Sequence, residues 1–161
     1  MWAKKDKDKG EAVRKVLLDN YESYYRLAFA YVHNEADAMD IVQEGAYRAM
    51  LKADDLREIS FAGTWVYRIM INEAKGYLRK NRKETGELDE NLAAEEVYRD
   101  IDLEKAVEKL PEAERTLIIL RFYEDKQLSE IAEILQENLN TVKSRLYRVL
   151  RKLREELAEQ T

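Results

Sequence analysis

Apolar residues recur every three or four positions along most of this chain, which stacks them on single faces of helices, and no stretch shows the strict alternation of a half-buried strand. From Glu11 to Val32 the positions Val13, Val16, Leu17, Tyr24, Leu27, Ala28 and Tyr31 form one stripe, predicting a first helix over that span. Asn34, with Glu35 and Asp37 behind it, predicts an N-cap and a second helix reaching Lys52. On that helix Ala38, Ile41, Val42, Gly45 and Ala49 point one way, while Asp37, Asp40, Glu44 and Arg48 occupy another face. The stretch "ADDLREIS" predicts a loop, with Ser60 capping a third helix from Phe61 to Asn81. A short helix is expected to start near Asp102. Pro111 suits the first turn of a further helix, favoured at its N-terminus by Glu112 and Glu114 and ending near Asp125. After it come the short helix "QLSEIAEIL", the turn "QENLN" and a long helix whose inward stripe is Leu139, Val142, Leu146, Val149, Leu153 and Leu157.

Composition agrees with an all-α fold: 161 residues hold one Pro and five Gly, with 45% hydrophobic and 38% charged residues. Charge then divides the chain. Between Glu84 and Glu104 there are nine acids against Arg99 alone, too polar and too like-charged a stretch to bury a core. The expected organisation is two small helical domains, 1–83 and 102–161, joined by an acidic flexible linker over 84–101. The N-terminus "MWAKKDKDKGEAVRK" lacks the apolar core of a secretion signal, and no apolar run approaches the roughly 20 residues needed to cross a bilayer, so a cytoplasmic location is expected.

The absence of cysteine excludes disulfides and thiolate metal sites. His33 is the only histidine and is expected to terminate a helix rather than to bind metal. The acid pairs Asp54-Asp55 and Glu95-Glu96 fall in loop or linker, where nothing raises one carboxyl for acid–base work, and no Gly-rich phosphate loop is present. Neither an enzyme nor a bound cofactor or metal is expected.

Cations are concentrated on two helices although the formal net charge is -5. "KGYLRKNRK" has five cations and no acid, and Arg68, Asn72, Lys75, Arg79 and Arg82 lie close to one stripe there. From Asn140 to Leu157 there are six cations and no acid before Glu155. Asn140, Thr141, Lys143, Ser144, Arg145, Tyr147, Arg148, Arg151 and Lys152 stay off the apolar stripe of that last helix. Small polar residues at its start suit base edges and the cations behind them suit phosphates, the arrangement a recognition helix needs. A solvated basic face is the bland alternative; a preceding helix of helix-turn-helix length and a second all-cation stripe favour nucleic acid.

"NEADAMDIVQEGAYRAMLK", "TWVYRIMINEAKGYLRKNRK" and "LPEAERTLIILRFYEDKQLSEIAEILQENLNTVKSRLYRVLRKLREEL" together resemble, in order and separation, the two conserved regions of extracytoplasmic-function (group IV) sigma factors. The resemblance covers nearly the whole chain. It implies an N-terminal sigma-2 domain that reads and opens the minus-10 promoter element and a C-terminal sigma-4 domain that reads the minus-35 element. The implied partners are core RNA polymerase, which supplies the catalysis, promoter DNA and an anti-sigma factor, often membrane-bound, with no small-molecule substrate. By the same resemblance Asp40, Gln43 and Glu44, with Asp37 beside them, would bind polymerase. Phe61, Trp65, Tyr67, Arg68, Asn72, Lys75 and Arg79 would serve the minus-10 element; Trp65 shares the spacing of the core, and Tyr67 is expected to be the freer ring. Asn140, Thr141, Lys143, Ser144, Arg145, Tyr147 and Arg148 would serve the minus-35 element.

The sequence departs from the family pattern around the last turn. Gln136 and Asn140 stand where many members have Gly, leaving Asn138 to cap the last helix or to take the left-handed conformation, and Gln127 replaces a capping Ser. Two other readings compete: an autonomous helix-turn-helix regulator, which would need a dimerisation or sensing domain in the first half, and a helical protein-interaction module with incidental basic faces.

Overall fold

The computed structural model describes the backbone of residues 2–85 and 99–160 and the side chains of 7–81 and 103–159. Among them all regular structure is helical: α1 (Trp2–Asp19), α2 (Tyr21–Val32), α3 (Glu35–Leu51), α4 (Ala62–Thr85), α5 (Arg99–Glu108), α6 (Glu112–Ile118), α7 (Leu128–Leu135) and α8 (Leu139–Gln160). The chain divides into two compact units, Met1–Leu78 with Glu133–Leu135, and Arg79–Ala132 with Gln136–Thr161.

In the first unit α2 packs on α3, and α1 packs on α3 and on a 3-10 turn at Ala53–Asp55. Val13, Tyr24, Leu27, Ala28, Tyr31, Ala38, Ile41, Val42, Ala49, Leu56, Val66, Tyr67, Met70 and Ile71 are buried. A large apolar side chain taken fully out of water contributes about 1.5–3 kcal/mol, so this cluster rather than helix propensity holds the unit together. The face expected to be buried on the second helix is the one observed: Ala38, Ile41, Val42, Gly45 and Ala49. Its cap is also as expected, with the Asp37 N–H donating to Asn34 Oδ1 at 2.9 Å.

The single first helix expected over 11–32 is instead two. Asn20, at φ -115° and ψ 21°, leaves helical geometry between α1 and α2, a conformation that a short polar side chain tolerates well. The first helix also begins at Trp2 rather than Glu11, and Gly10 lies inside it. Gly weakens a helix by about 1 kcal/mol, but α1 is supported from outside: it lies against the Ala53–Asp55 turn, where Lys9 Nζ donates to the Asp54 carbonyl at 3.3 Å. His33 terminates α2 in the left-handed conformation (φ 53°), its N–H donating to the Phe29 carbonyl at 2.7 Å and its ring standing edge-on to Phe29.

The expected loop "ADDLREIS" is organised by two 3-10 turns, Ala53–Asp55 and Ile59–Phe61, with Leu56 buried between them. Ser60 therefore lies inside the second turn rather than capping the next helix, and α4 runs past the expected end at Asn81 to Thr85. Lys80, Arg82, Lys83 and Glu84 are all good helix formers, so nothing local stops it. Of the expected linker 84–101, residues 84–85 and 99–101 are helical; the remainder lies outside the described residues, as does the side chain of Arg82.

The second unit packs α5, α6 and α8 around Ala106, Val107, Leu110, Ile118, Leu146, Val149 and Leu153, with Tyr123, Leu128 and Leu150 at the margin. Pro111 stands at the N-cap position of α6, its carbonyl accepting the Arg115 N–H at 2.9 Å, and the helix continues as a π-helical turn, Ile119–Tyr123, closed by Glu124 N–H to the Ile119 carbonyl at 2.9 Å. Val142, Leu146, Val149 and Leu153 of α8 are buried as expected; Leu139 is not, retaining 38% exposure, because it stands in the first turn.

Candidate nucleic-acid and polymerase interfaces

The turn between α7 and α8 is fixed by three local devices. Gln136 takes the left-handed conformation itself (φ 58°), and the Glu137 N–H donates back to the Ala132 carbonyl at 3.0 Å, closing α7 in a Schellman-type end. Asn138 then caps α8, its Oδ1 accepting the Asn140 N–H at 2.7 Å. At the start of α7, Glu130 Oε1 accepts the Gln127 N–H at 2.9 Å, half of a capping box that offsets the missing Ser. The departures from the Gly pattern thus leave a well-formed helix-turn-helix.

On α8 the polar face is open. Asn140, Thr141, Lys143, Ser144, Tyr147 and Arg148 are exposed and Arg145 is half-buried. Asn140, Thr141, Ser144, Arg145 and Arg148 line a groove of about 360 Å³, so five of the seven residues expected to serve the minus-35 element share one concavity. Lys143 and Tyr147 lie outside it, Tyr147 with 62% exposure. Arg145 Nη1 donates to Glu137 Oε1 at 2.7 Å, an acid that helical spacing could not have paired with it because Glu137 precedes the helix.

The minus-10 set divides by burial. Phe61 stands at the end of the second 3-10 turn with 48% exposure. On α4, Asn72 and Arg79 are exposed, and Trp65, Arg68 and Lys75 are half-buried. Tyr67 corrects the expectation that it would be the freer ring: it is only 5% exposed, edge-on to Tyr24 with centroids 5.1 Å apart, and its hydroxyl is hydrogen-bonded to that of Ser23. A ring held in this way presents no face to an unpaired base.

Asp40, Gln43 and Glu44 are exposed on α3, and Asp37, in its first turn, is half-buried. Tyr47 and Leu51, with 63% and 65% exposure, continue the same face at i+7 and i+11 from Asp40. These two were missed in the sequence, although both fall outside the buried stripe and could have been found from the helical wheel. Glu44 also belongs to a charge cluster: Arg48 Nε lies 3.3 Å from Glu44 and 2.6 Å from Glu73 of α4. Burial pushes the Glu73 carboxyl above its ordinary range; Arg48 opposes that, Glu44 adds to it and Lys52 opposes it again.

Residues 17–84 match the family description "Sigma-70 region 2" and residues 100–153 match "Sigma-70, region 4". RNA polymerase sigma factor SigV of Bacillus subtilis is 42% identical over 149 residues, covering 89% of this chain and 90% of that protein. The chain belongs to the extracytoplasmic-function sigma factors of the sigma-70 family. As a sigma factor it binds core RNA polymerase and directs transcription initiation at promoters, and the autonomous-regulator reading is not favoured. The ECF RNA polymerase sigma factor SigW of the same organism is 30% identical, covering 89% of this chain and 88% of that one. Among solved structures, the sigma factor RpoE in complex with the anti-sigma factor NepR from Bartonella quintana superposes with a TM-score of 0.68 at 25% identity, over 91% of this sigma factor and 96% of that chain. CnrH, in complex with the cytosolic domain of CnrY, shares the fold with a TM-score of 0.70 at 19% identity, over 97% and 98% of the two chains.

Among the described residues no helix is long and apolar enough to cross a membrane, and no group of three His, Cys, Asp or Glu could hold a metal ion.

Proposed function

We propose that the two ends of the chain divide the work of initiation, with residues 1–83 docking on core RNA polymerase and engaging the minus-10 element and residues 102–161 reading the minus-35 element. The observation that carries this reading is the α8 groove, where Asn140, Thr141, Ser144, Arg145 and Arg148 converge at the open end of a capped helix. Small polar groups there approach base edges while Lys143 and Arg148 meet phosphates. Phe61 and Trp65 supply rings for unpaired bases, each such stacking contact being worth about 1–3 kcal/mol, and Arg68, Asn72, Lys75 and Arg79 hold the backbone of the opened strand. Tyr67 is left out of this set because it belongs to the core.

The polymerase contact is assigned to Asp37, Asp40, Gln43 and Glu44. The chain itself performs no chemistry; the polymerase catalyses, in the cytoplasm. An anti-sigma factor that covers the same faces would keep the protein inactive, the kind of partner that RpoE of Bartonella quintana has in its complex with NepR. Two modules, each a weak DNA binder, gain affinity when a common host holds them on one promoter, because the second contact becomes intramolecular.

Reconstitution with bacterial core polymerase tests the assignment. Sequenced transcripts should start at a defined set of promoters sharing minus-35 and minus-10 elements; unchanged start sites with and without the protein would refute it.

A further inference from the structure

Arg48 stands between two carboxylates in unlike surroundings. Its Nε is 2.6 Å from Glu73 Oε2 of α4, a side chain with 19% exposure, and 3.3 Å from Glu44 Oε2, one turn back on α3, with 52% exposure. An Arg four residues after a Glu ordinarily closes on it along the helix surface. Here α4 competes, and Gly45 is what lets it come near: a Cβ at that position would lie 2.5 Å from Met70 Sδ and 3.6 Å from Glu73 Cγ. The more enclosed carboxylate is screened less by water and so holds the shared cation more strongly.

We propose that Glu73 is a positioning residue that shares Arg48 with Glu44 and takes the shorter contact, so that the exposed Glu44 carboxylate is only partly neutralised and keeps negative charge for its partner. The inference rests on the assignment of α3 as the polymerase-docking face. Without Glu73, Arg48 is no longer shared and closes fully on Glu44, neutralising one of the acids of that face. Lys52, the other cation acting on Glu73, is itself exposed at the end of α3 and cannot take the place of Arg48 beside Glu44. The charge pattern of the docking face is therefore set by a residue on the neighbouring helix.

The test is a titration of the full chain against bacterial core RNA polymerase with wild type, E73Q, R48A, E73Q/R48A and E44A. The expected loss for E73Q is about two- to fivefold, the range an exposed ion pair commands. R48A should bind at least as tightly as wild type, and E73Q/R48A should return to the R48A level, because the neutralising cation is gone. An unchanged E73Q, a double variant no tighter than E73Q, or an R48A weaker than wild type overturns the role of Glu73. A merely structural effect of E73Q would not be repaired by removing a second side chain. E44A separates the two readings: wild-type affinity there refutes the docking face itself, whereas a weakened E44A beside an unchanged E73Q refutes only the positioning role.

Discussion

Glu137, in the turn before α8, holds the guanidinium of Arg145 at 2.7 Å, so a cation lining the α8 groove is anchored by an acid outside that helix. The side chain of Arg145 keeps 25% exposure, enough to reach a ligand in the groove but not to swing freely. A long side chain held in one orientation loses less entropy on binding, which favours selective over diffuse contact.

Arg145→Ala should therefore cost about 1–3 kcal/mol on promoters that carry the minus-35 element and much less on promoters that lack it. Filter binding or anisotropy with holoenzyme on both promoter types measures the difference. Equal losses on the two would make Arg145 a general phosphate contact.

Asn138→Ala removes the acceptor for the Asn140 N–H and should destabilise the chain by about 0.5–2 kcal/mol in urea denaturation. The groove opens on this first turn, so minus-35 affinity should fall with it, while Asn138→Asp should retain both. A stable Asn138→Ala variant with a normal unfolding midpoint would show the cap to be dispensable.

For the docking face, Asp40→Ala combined with Glu44→Ala should abolish capture by core polymerase and leave the thermal midpoint unchanged, since both side chains are exposed. Co-elution on size exclusion decides it, and normal assembly of the holoenzyme would remove the face from the assignment.

Phe61 and Tyr67 should part company. Tyr67→Ala leaves a cavity beside Tyr24 and should cost about 3–5 kcal/mol of stability, and Tyr67→Phe, which removes the hydroxyl that meets Ser23, about 1 kcal/mol. Phe61→Ala should leave stability nearly unchanged and reduce permanganate-detected promoter opening by holoenzyme. A Phe61→Ala variant that opens promoters normally would exclude stacking by that ring.

Gly45→Val places side-chain atoms against Met70 where even a Cβ is too close, and should destabilise the first unit by about 1–3 kcal/mol. Because the same close approach brings Glu73 to Arg48, polymerase affinity should drop along with stability. Calorimetry showing a wild-type midpoint would mean that Met70 yields without loss.

The amphipathic stripes were legible in the sequence because each is a local property of one helix. Ala38, Ile41, Val42, Gly45 and Ala49 face inward as their spacing requires, and Val142, Leu146, Val149 and Leu153 do the same on α8. The cap at Asn34 and the break at Pro111 were legible for the same reason: each depends on neighbours within a turn. The open polar face of α8 followed from the stripe opposite it, and with it most of the groove.

What spacing alone could not decide was set by groups distant in sequence. Tyr67 falls beside a candidate stacking position, but its burial depends on Tyr24 and Ser23, more than forty residues earlier, and only the packing of α2 on its neighbours brings them to it. Helix α1 lies against the 3-10 turn at Ala53–Asp55, where Lys9 meets the Asp54 carbonyl forty-five residues away in sequence. Arg48 reads as an ordinary partner of Glu44 until α4 delivers Glu73. The sequence determined which faces exist, since periodicity acts over a few residues; the tertiary structure decided which of their side chains remain available, since burial and charge pairing depend on whatever the rest of the chain places against them.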